Sequence, residues 1–194
     1  MTRPGITVRD ARSEDLPDLT EMWRELREIG SRLDRATPAV TEQGVLQRLD
    51  AVSADPDSRA LVAVVDGVVA GMAVLTRAPY APLFDQSAVH VNYLHVRQEH
   101  RRRGVGKALL AAAAAYAEEV GAEHVMTSVL PQMRETNRFY ARLGFGPVVV
   151  RRAVSVSLLR RRLAAERVPG RTDTTLLRRR TMRRVRAAVA RVSE

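Results

Sequence analysis

The chain has 194 residues, which suffice for one domain with an appendage and a sizeable core. It contains no cysteine, which excludes disulfides, thiolate metal sites and a cysteine nucleophile. Residues 1–150 hold 18 basic and 19 acidic side chains, whereas residues 151–194 hold 14 arginines and three acids. The net charge of +10 therefore describes the tail rather than the body, and it does not identify the domain as a nucleic-acid binder.

No stretch of the sequence approaches the roughly 18 consecutive apolar residues of a membrane-spanning helix. The first 16 residues lack the apolar centre of a secretory signal. We therefore expect a cytoplasmic protein without a transmembrane segment, and the sequence indicates no metal site.

Apolar periodicity and turn signals predict strands and helices in alternation. In chain order they are a strand at 6–11, helices at 13–30 and 41–54, a hairpin at 59–77, a strand at 88–96, a helix at 105–120, a strand at 123–130, a short helix at 134–143, and strands at 147–150 and 152–159. The dipeptide Asp66-Gly67 marks the hairpin turn. This order predicts an α+β fold, in which a mixed, mostly antiparallel sheet carries helices on both faces.

Residues 1–158 are predicted to form this domain, and residues 159–194 a basic C-terminal extension with a helix over about 174–192. An incomplete apolar stripe in the extension is compatible with docking on the body or on a second copy in a homodimer. A solvated tail is the second alternative. Contact of the arginines with nucleic acid or an anionic membrane is the third, although no aromatic residue for base stacking follows Phe145.

The segment QEHRRRGVGKALL, residues 98–110, leads from a predicted strand into a predicted helix. A helix start exposes unpaired backbone N–H groups and the positive end of the helix dipole. Gly104 and Gly106 remove side chains where a ligand would approach the backbone. The amides of residues 102–107, with cationic side chains at their rim, therefore predict a site for phosphate or pyrophosphate. An arginine-rich turn that only begins the helix is the alternative.

This segment resembles the acetyl-CoA-binding motif of the GNAT superfamily of N-acetyltransferases, Gln/Arg-x-x-Gly-x-Gly/Ala, filled here by Arg101, Gly104 and Gly106. Leu94-His95-Val96 matches the family's Leu-x-Val on the preceding strand. TNRFYARLGF, residues 136–145, resembles its closing Ala-x-x-x-Tyr-x-x-x-Gly-Phe pattern, with threonine in place of alanine. The resemblance implies the GNAT fold, acetyl-CoA as cosubstrate, and direct acetyl transfer to an amine without a metal.

The resemblance also implies where the donor lies, in a V-shaped opening between two parallel strands, 88–97 and 123–130. The pantetheine arm is expected to pair with the backbone of Leu94, His95 and Val96 like an added strand. The pyrophosphate is expected on the backbone amides of Arg102, Arg103, Gly104, Val105, Gly106 and Lys107. An N–H near Val96 is expected to stabilise the thioester oxygen as it gains negative charge.

Two residues are predicted to carry the catalysis. Tyr140 matches the family tyrosine that often lies beside the sulfur, where a protonated phenol can donate to the departing thiolate. His90 occupies a position where some members have a glutamate base, and its imidazole can take a proton directly or through water. The alternatives are a core aromatic and a histidine without a role. Strand alternation puts His90, Asn92 and Leu94 on one face and a structural His95 on the other, although the family often bulges there.

One position departs from the family pattern. Many members have an asparagine seven residues before the tyrosine, whereas this chain has Met133. Asn137 either reaches the cofactor instead or bonds locally. The predicted acceptor is a small-molecule or peptide amine, whose structure no motif encodes. The alternative function is a GNAT-fold module that binds acyl-CoA or a polyanion without turnover.

Overall fold

A computed structural model describes residues 5–33, 41–81, 85–149, 152 and 154–166. The chain divides into two units, Met1–Gly144 and Phe145–Glu194. The first unit contains, in chain order, β1 (Ile6–Asp10), α1 (Leu16–Leu33), α2 (Glu42–Ala54), β2 (Ser58–Val65), β3 (Val68–Pro79), β4 (Ser87–Val96), α3 (Val105–Glu119), β5 (His124–Thr127) and α4 (Arg134–Ala141). The second unit contains α5 (Val156–Glu166). No helix among these described residues has the length and apolar character needed to cross a bilayer.

Local hydrogen bonds explain where the first two helices begin. The Asp15 carboxylate, just before α1, accepts from the backbone N–H of Arg12 at 2.8 Å and from the Arg9 guanidinium at 2.7 and 2.8 Å. The hydrogen bonds from Arg9 hold the pKa of the Asp15 carboxyl below its usual value. At the start of α2, the Thr41 hydroxyl accepts from the N–H of Gly44 at 3.1 Å. Both contacts satisfy donors that a helix start would otherwise leave unpaired.

The five strands form one sheet in the order β1-β2-β3-β4-β5. The first four strands pair antiparallel, and β5 pairs parallel to β4. The hairpin between β2 and β3 turns at Asp66 and Gly67, whose φ angles of 50° and 81° suit a two-residue turn. The predicted mixed, mostly antiparallel sheet is therefore confirmed.

Helices cover both faces of this sheet, as predicted. Helices α1 and α2 pack on one face. Its core consists of Leu19, Met22, Trp23, Val45 and Val52 from the helices and Val62, Val69, Met72 and Val74 from the strands. Helix α3 packs on the other face, where Gly71 of β3 meets its first turns. A Cβ on Gly71 would lie 2.9 Å from the His95 carbonyl oxygen and 3.0 Å from Cγ1 of Val105. Only a residue without a side chain therefore lets α3 lie this close to β3 and β4.

The predicted strands at the end of the domain are wrong. Residues 147–149 have no regular secondary structure, and α5 occupies Val156–Glu166. The Ser155 hydroxyl accepts from the N–H of Leu158 at 3.3 Å, which caps the helix, and the helix-forming residues after it outweigh the β-branched valines. The predicted domain boundary after residue 158 falls inside α5. The predicted helix over 174–192 lies outside the described residues.

Candidate functional site

Strands β4 and β5 separate partway along β4. They pair over four positions, from Ala88 with His124 to Val91 with Thr127. Strand β5 then ends, whereas β4 continues to Val96. In the described part of the chain, the second half of β4 thus has a strand partner on one side only. This is the opening between parallel strands that the family resemblance implies.

A β-bulge marks the start of the unpaired half. Between two paired positions β4 advances three residues, from Asn92 to His95, while β3 advances two, from Val74 to Met72. Tyr93, inside this bulge, has a φ of 52°, a left-handed conformation that is uncommon for a residue with a side chain. The bulge therefore inserts one extra residue into the strand that lines the opening.

The extra residue changes which side chains share a face. His90, Asn92 and His95 pair with every second residue of β3. Every second residue of a strand points to the same face, so these three side chains lie on one face of the sheet. The prediction that His95 faces away from His90 is therefore wrong. Leu94, predicted to share the face of His90 and Asn92, does not, because the bulge shifts the alternation by one residue.

The backbone of the last residue of β4 points into the opening. The N–H of Arg97 donates to the carbonyl oxygen of Ala70 on β3 at 3.0 Å. Successive residues of a strand direct their backbone N–H and C=O groups to opposite edges. Since the Arg97 N–H points to β3, the N–H and C=O of Val96 point to the opposite edge, along which β5 no longer runs. The Val96 carbonyl oxygen accepts from Nε of Arg101 at 3.1 Å. Its N–H remains directed at the opening.

The turn after β4 exposes a set of backbone amides. Arg102 and Gly104 have φ angles of 60° and 97°, and Gly104 is the N-cap of α3 without a side-chain capping bond. The first backbone bond into the helix runs from the N–H of Ala108 to the carbonyl of Gly104 at 3.0 Å. Among the described residues, no backbone carbonyl accepts from the amides of 102–107. Left-handed residues at 102 and 104 before a helix start suit a concave anion site, which stays a prediction.

The second glycine of the motif serves packing. A Cβ on Gly106 would lie 3.3 Å from Cζ of Phe139, so the glycine lets α3 approach α4 closely. The side chains of Arg102, Arg103 and Lys107 are exposed around the turn, and Arg102 contacts the Glu135 carboxylate at 3.2 Å. Gly104 thus shapes the turn through its positive φ, while Gly106 lets α3 approach α4.

Tyr140 lies where the two strands part. Its side chain is buried, and its hydroxyl is 3.5 Å from Oγ1 of Thr127, which is itself 3.2 Å from the Val91 carbonyl oxygen. Val91 and Thr127 are the last paired residues before the opening. Burial raises the pKa of the Tyr140 phenol, and the hydrogen bond from Thr127 only partly opposes this. The phenol is therefore protonated at neutral pH and can donate a proton.

Comparison with known proteins agrees with this geometry. The sequence model of the acetyltransferase (GNAT) family matches residues 18–145 of this chain. The chain belongs to the GNAT acetyltransferase family. No curated protein sequence matches it significantly.

Solved structures show the same fold at low sequence identity. A transcriptional regulator from Bacillus halodurans C-125 superposes with a TM-score of 0.66 at 21% identity, covering 78% of this chain and 99% of that one. Glucosamine-6-phosphate N-acetyltransferase from Arabidopsis thaliana superposes with a TM-score of 0.61 at 16% identity over 78% and 99% of the two chains. Aminoglycoside N-acetyltransferase AAC(6')-Iy in complex with CoA superposes with a TM-score of 0.59 at 22% identity over 78% and 97%.

His90 lies at the edge of this GNAT site. It pairs with Met126 in the last stretch where β4 and β5 are together, one residue before the strands part. Its Nε2 is 3.4 Å from the carbonyl oxygen of Pro79. The ring therefore lies beside the last residue of β3, and its role as a base stays a prediction.

Asn137 uses its amide nitrogen locally. Nδ2 donates to the carbonyl oxygens of Leu130 and Met133 at 3.0 and 2.9 Å. These bonds hold the loop between β5 and α4, which is the local alternative stated for this residue. A contact of Asn137 with the cofactor would have to use its side-chain oxygen.

Sequence reasoning missed the partners of His95 and Arg97. Nε2 of His95 is 2.7 Å from a carboxylate oxygen of Glu25 on α1, and its side chain is 4% exposed. Nη2 of Arg97 contacts Asp18 at 2.7 Å and Glu21 at 3.1 Å. The acids recur along α1 at spacings of three and four, which places them on one face of the helix. That pattern is the available sequence signal, but it does not identify the partner strand.

Burial sets the charge of His95. It lowers the pKa of the imidazole, and the hydrogen bond with Glu25 opposes the shift without cancelling it. His95 is therefore neutral at neutral pH and donates from Nε2 to the carboxylate. This supports the structural role that the sequence analysis gave its side chain.

Proposed function

We propose that the chain is an acetyl-CoA-dependent N-acetyltransferase that acts on a primary amine by direct attack. One observation carries the proposal. The protonated phenol of Tyr140 lies where β4 and β5 part, the open edge of β4 continues from that point to Val96, and the exposed amides of 102–107 follow the end of β4. An extended polar arm, a diphosphate and a leaving thiolate are the chemical groups that these three features would bind.

The residues present fit this donor. Bound acetyl-CoA supplies the acetyl group as a thioester. The backbone edge at Leu94, His95 and Val96 would pair with the pantetheine arm. The amides of Arg102, Arg103, Gly104, Val105, Gly106 and Lys107 would bind the pyrophosphate, with the exposed side chains of Arg102, Arg103 and Lys107 adding positive charge. Arg101 acts differently, since its Nε bonds to the Val96 carbonyl and fixes the turn to the strand.

The N–H of Val96 is the proposed donor to the thioester oxygen. It points toward the open edge because the neighbouring Arg97 N–H points to β3. A backbone N–H held by a sheet stabilises developing negative charge without reorganising during the reaction. The same peptide group would therefore both dock the donor and polarise its carbonyl.

Tyr140 and His90 are the proposed proton carriers. The N–C bond forms, the C–S bond breaks, and overall one amine proton ends on sulfur. Tyr140 donates a proton to the sulfur and regains one from solvent as the amine nitrogen releases its own. His90 accepts the proton of the incoming ammonium, directly or through water.

The acceptor is proposed to be a small-molecule or peptide amine. The Arabidopsis relative is named for glucosamine-6-phosphate and another relative for aminoglycosides, both of which carry amines on sugars. At 16% and 22% identity these relatives show the fold alone, so amino sugars are the first class to test and not an assignment.

Calorimetric titration with CoA tests the donor site. We expect Gly104→Asp to weaken CoA binding at least about tenfold, because a carboxylate would stand among the amides that bind the pyrophosphate. Gly121→Asp is the matched control, since Gly121 also has a positive φ, 67°, but follows the other end of α3. Equal CoA affinity of wild type and Gly104→Asp would disprove the pyrophosphate site.

A binding module without turnover is the second candidate. Met133 stands where many family members have an asparagine, and the amide nitrogen of Asn137 is engaged in its own loop. A thiol-release assay with acetyl-CoA and a diverse amine panel separates the two functions. Release with at least one amine supports the transferase. CoA binding without release across amino sugars, polyamines, amino acids and peptides supports the module.

A further inference from the structure

We propose that side chains of α1 position the unpaired half of β4 for the donor, a role that rests on the proposed function. We call this group of contacts the α1 clamp. It joins Trp23 to Tyr93, Glu25 to His95, and Asp18 and Glu21 to Arg97. Its members are positioning residues, because they act through the backbone of β4.

Three alternate residues of one short segment all contact α1. The rings of Tyr93 and Trp23 meet edge to face, with centroids 6.1 Å apart. His95 bonds to Glu25 at 2.7 Å, and Arg97 bonds to Asp18 at the same distance. The bulge makes this possible, because its extra residue turns positions 93, 95 and 97 toward α1.

The clamp lies on the half of β4 that no longer pairs with β5. Residues 88–91 of β4 have hydrogen-bonded strands on both sides, whereas residues 92–96 pair, within the described ranges, only with β3. An edge that must stay free for a ligand cannot be held by another strand. Side chains that reach across the face of the sheet hold the segment in place and leave its edge open.

One partner of each polar contact is largely buried, while the acidic partners on α1 are 38% to 59% exposed. The side chains of His95 and Arg97 are 4% and 13% exposed. Nε of Arg97 is buried without a hydrogen-bond partner among the described residues, so the guanidinium depends on its two carboxylates. Removing the carboxylates would leave the guanidinium without these partners in a poorly solvated position, whereas the acids, 38% and 59% exposed, keep access to water when the arginine is removed.

The clamp flanks the proposed catalytic amide. Val96, whose N–H points into the opening, lies between His95 and Arg97, and both neighbours are tied to α1. A shift of this segment would move the donor-binding edge and the oxyanion donor together. Helix α1 therefore controls the donor site although none of its residues needs to touch the donor.

Glu25→Ala and Arg97→Met test the clamp, and Glu25→Gln, which keeps an oxygen to accept from His95, is the rescue variant. Amide hydrogen exchange and calorimetry with CoA are the readouts. We expect faster exchange at residues 93–97 than in wild type, unchanged exchange at 88–91, and CoA binding weakened about tenfold. Glu25→Gln should return both quantities most of the way to wild type.

Two control variants separate positioning from general stability. Val52→Ala opens the core under α2 and lowers stability without touching β4. Glu119→Ala breaks another 2.7 Å helix–strand ion pair, with Arg59, far from the start of α3. Both should leave CoA affinity at the wild-type level, while Val52→Ala lowers the melting temperature at least as much as Glu25→Ala.

The outcomes distinguish this proposal from the proposed function. Unchanged exchange at 93–97 in both clamp variants would overturn the proposal, as would faster exchange with unchanged CoA affinity. If Val52→Ala weakened CoA as much as Glu25→Ala, the role would be general stability and the proposal would also fail. Absence of CoA binding by the wild type would instead overturn the proposed donor site.

Discussion

The two halves of β4 belong to one strand but are held in different ways. The first half, Ser87–Val91, has strands on both sides and pairs with β5 through Ala88 to Val91. The second half begins with a bulge, pairs with β3 alone among the strands that the structure describes, and contacts α1 through alternate side chains. Backbone bonds to two strands stabilise the first half, whereas the second half combines backbone bonds to β3 with side-chain contacts to α1.

The difference shows how a sheet can present a stable free edge. A hydrogen-bonded neighbour would fix the strand but occupy its donors and acceptors. Side-chain contacts to a helix fix the strand and leave those groups available. Substitutions that affect one half and spare the other therefore test whether the two kinds of support serve different purposes.

Gly71→Ala should have the largest effect, because it disturbs the second half and α3 together. The new Cβ would lie 2.9 Å from the His95 carbonyl oxygen, a backbone atom that cannot rotate away. We expect a loss of about 3 kcal/mol in unfolding free energy, measured by urea denaturation. Gly5→Ala is the control, since no atom lies within 4 Å of its Cβ. A loss no larger than that of Gly5→Ala would mean that α3 can move away from the sheet.

Tyr140→Phe tests the point where the halves meet. It removes the phenol beside Thr127 but keeps the buried ring, so we expect kcat to fall about a hundredfold with little change in the acetyl-CoA KM. Tyr116→Phe is the matched control, because Tyr116 is also buried with a pKa raised by burial but lies on α3. Steady-state kinetics with a reactive amine measures both. Wild-type kcat in Tyr140→Phe would exclude the acid role.

His90→Ala tests the paired half. We expect a loss of rate on the order of tenfold near neutral pH, partly recovered at higher pH where more of the amine is unprotonated. The pH–rate profile of kcat/KM measures this. His124→Ala changes a histidine on the adjacent strand, where the ring contacts Tyr80, and should leave the profile as in wild type. Identical profiles for His90→Ala and wild type would remove His90 from the mechanism.

The smallest effect is expected from the titration of His95 in the clamped half. Because burial lowers its pKa below the usual 6.5, the unfolded chain binds a proton more readily than the folded chain as pH falls below 6.5. The stability contributed by neutral His95 is complete above pH 6.5 and is lost as pH falls toward its folded-state pKa. The difference in unfolding free energy between wild type and His95→Gln should therefore shrink from pH 7.5 to pH 5.5. A constant difference would contradict the shift.

Local signals in the sequence were enough for most of the fold. Asp66-Gly67 predicted the hairpin, and the glycines at 104 and 106 after a strand predicted the turn and the start of α3. These features depend on neighbouring residues, and so a local pattern can encode them. The family motif added the opening between β4 and β5.

The features that local patterns did not predict depend on residues that are distant in sequence. The bulge at Tyr93, which only the family resemblance had anticipated, exists only in the register between two strands, and the pair of Glu25 with His95 spans 70 positions. The close approach at Gly71 requires the position of α3 to be known. The strand predicted over 152–159 failed for a local reason, since valines and leucines there satisfy both strand and helix patterns and Ser155 favours the helix.

The bond from Arg101 to the Val96 carbonyl suggests why the first position of the family motif accepts either arginine or glutamine. Both side chains carry a planar N–H group that can close a loop onto a peptide oxygen a few residues earlier, and neither needs a positive charge to do so. Substituting Gln for Arg101 should thus be tolerated better than Lys or Met.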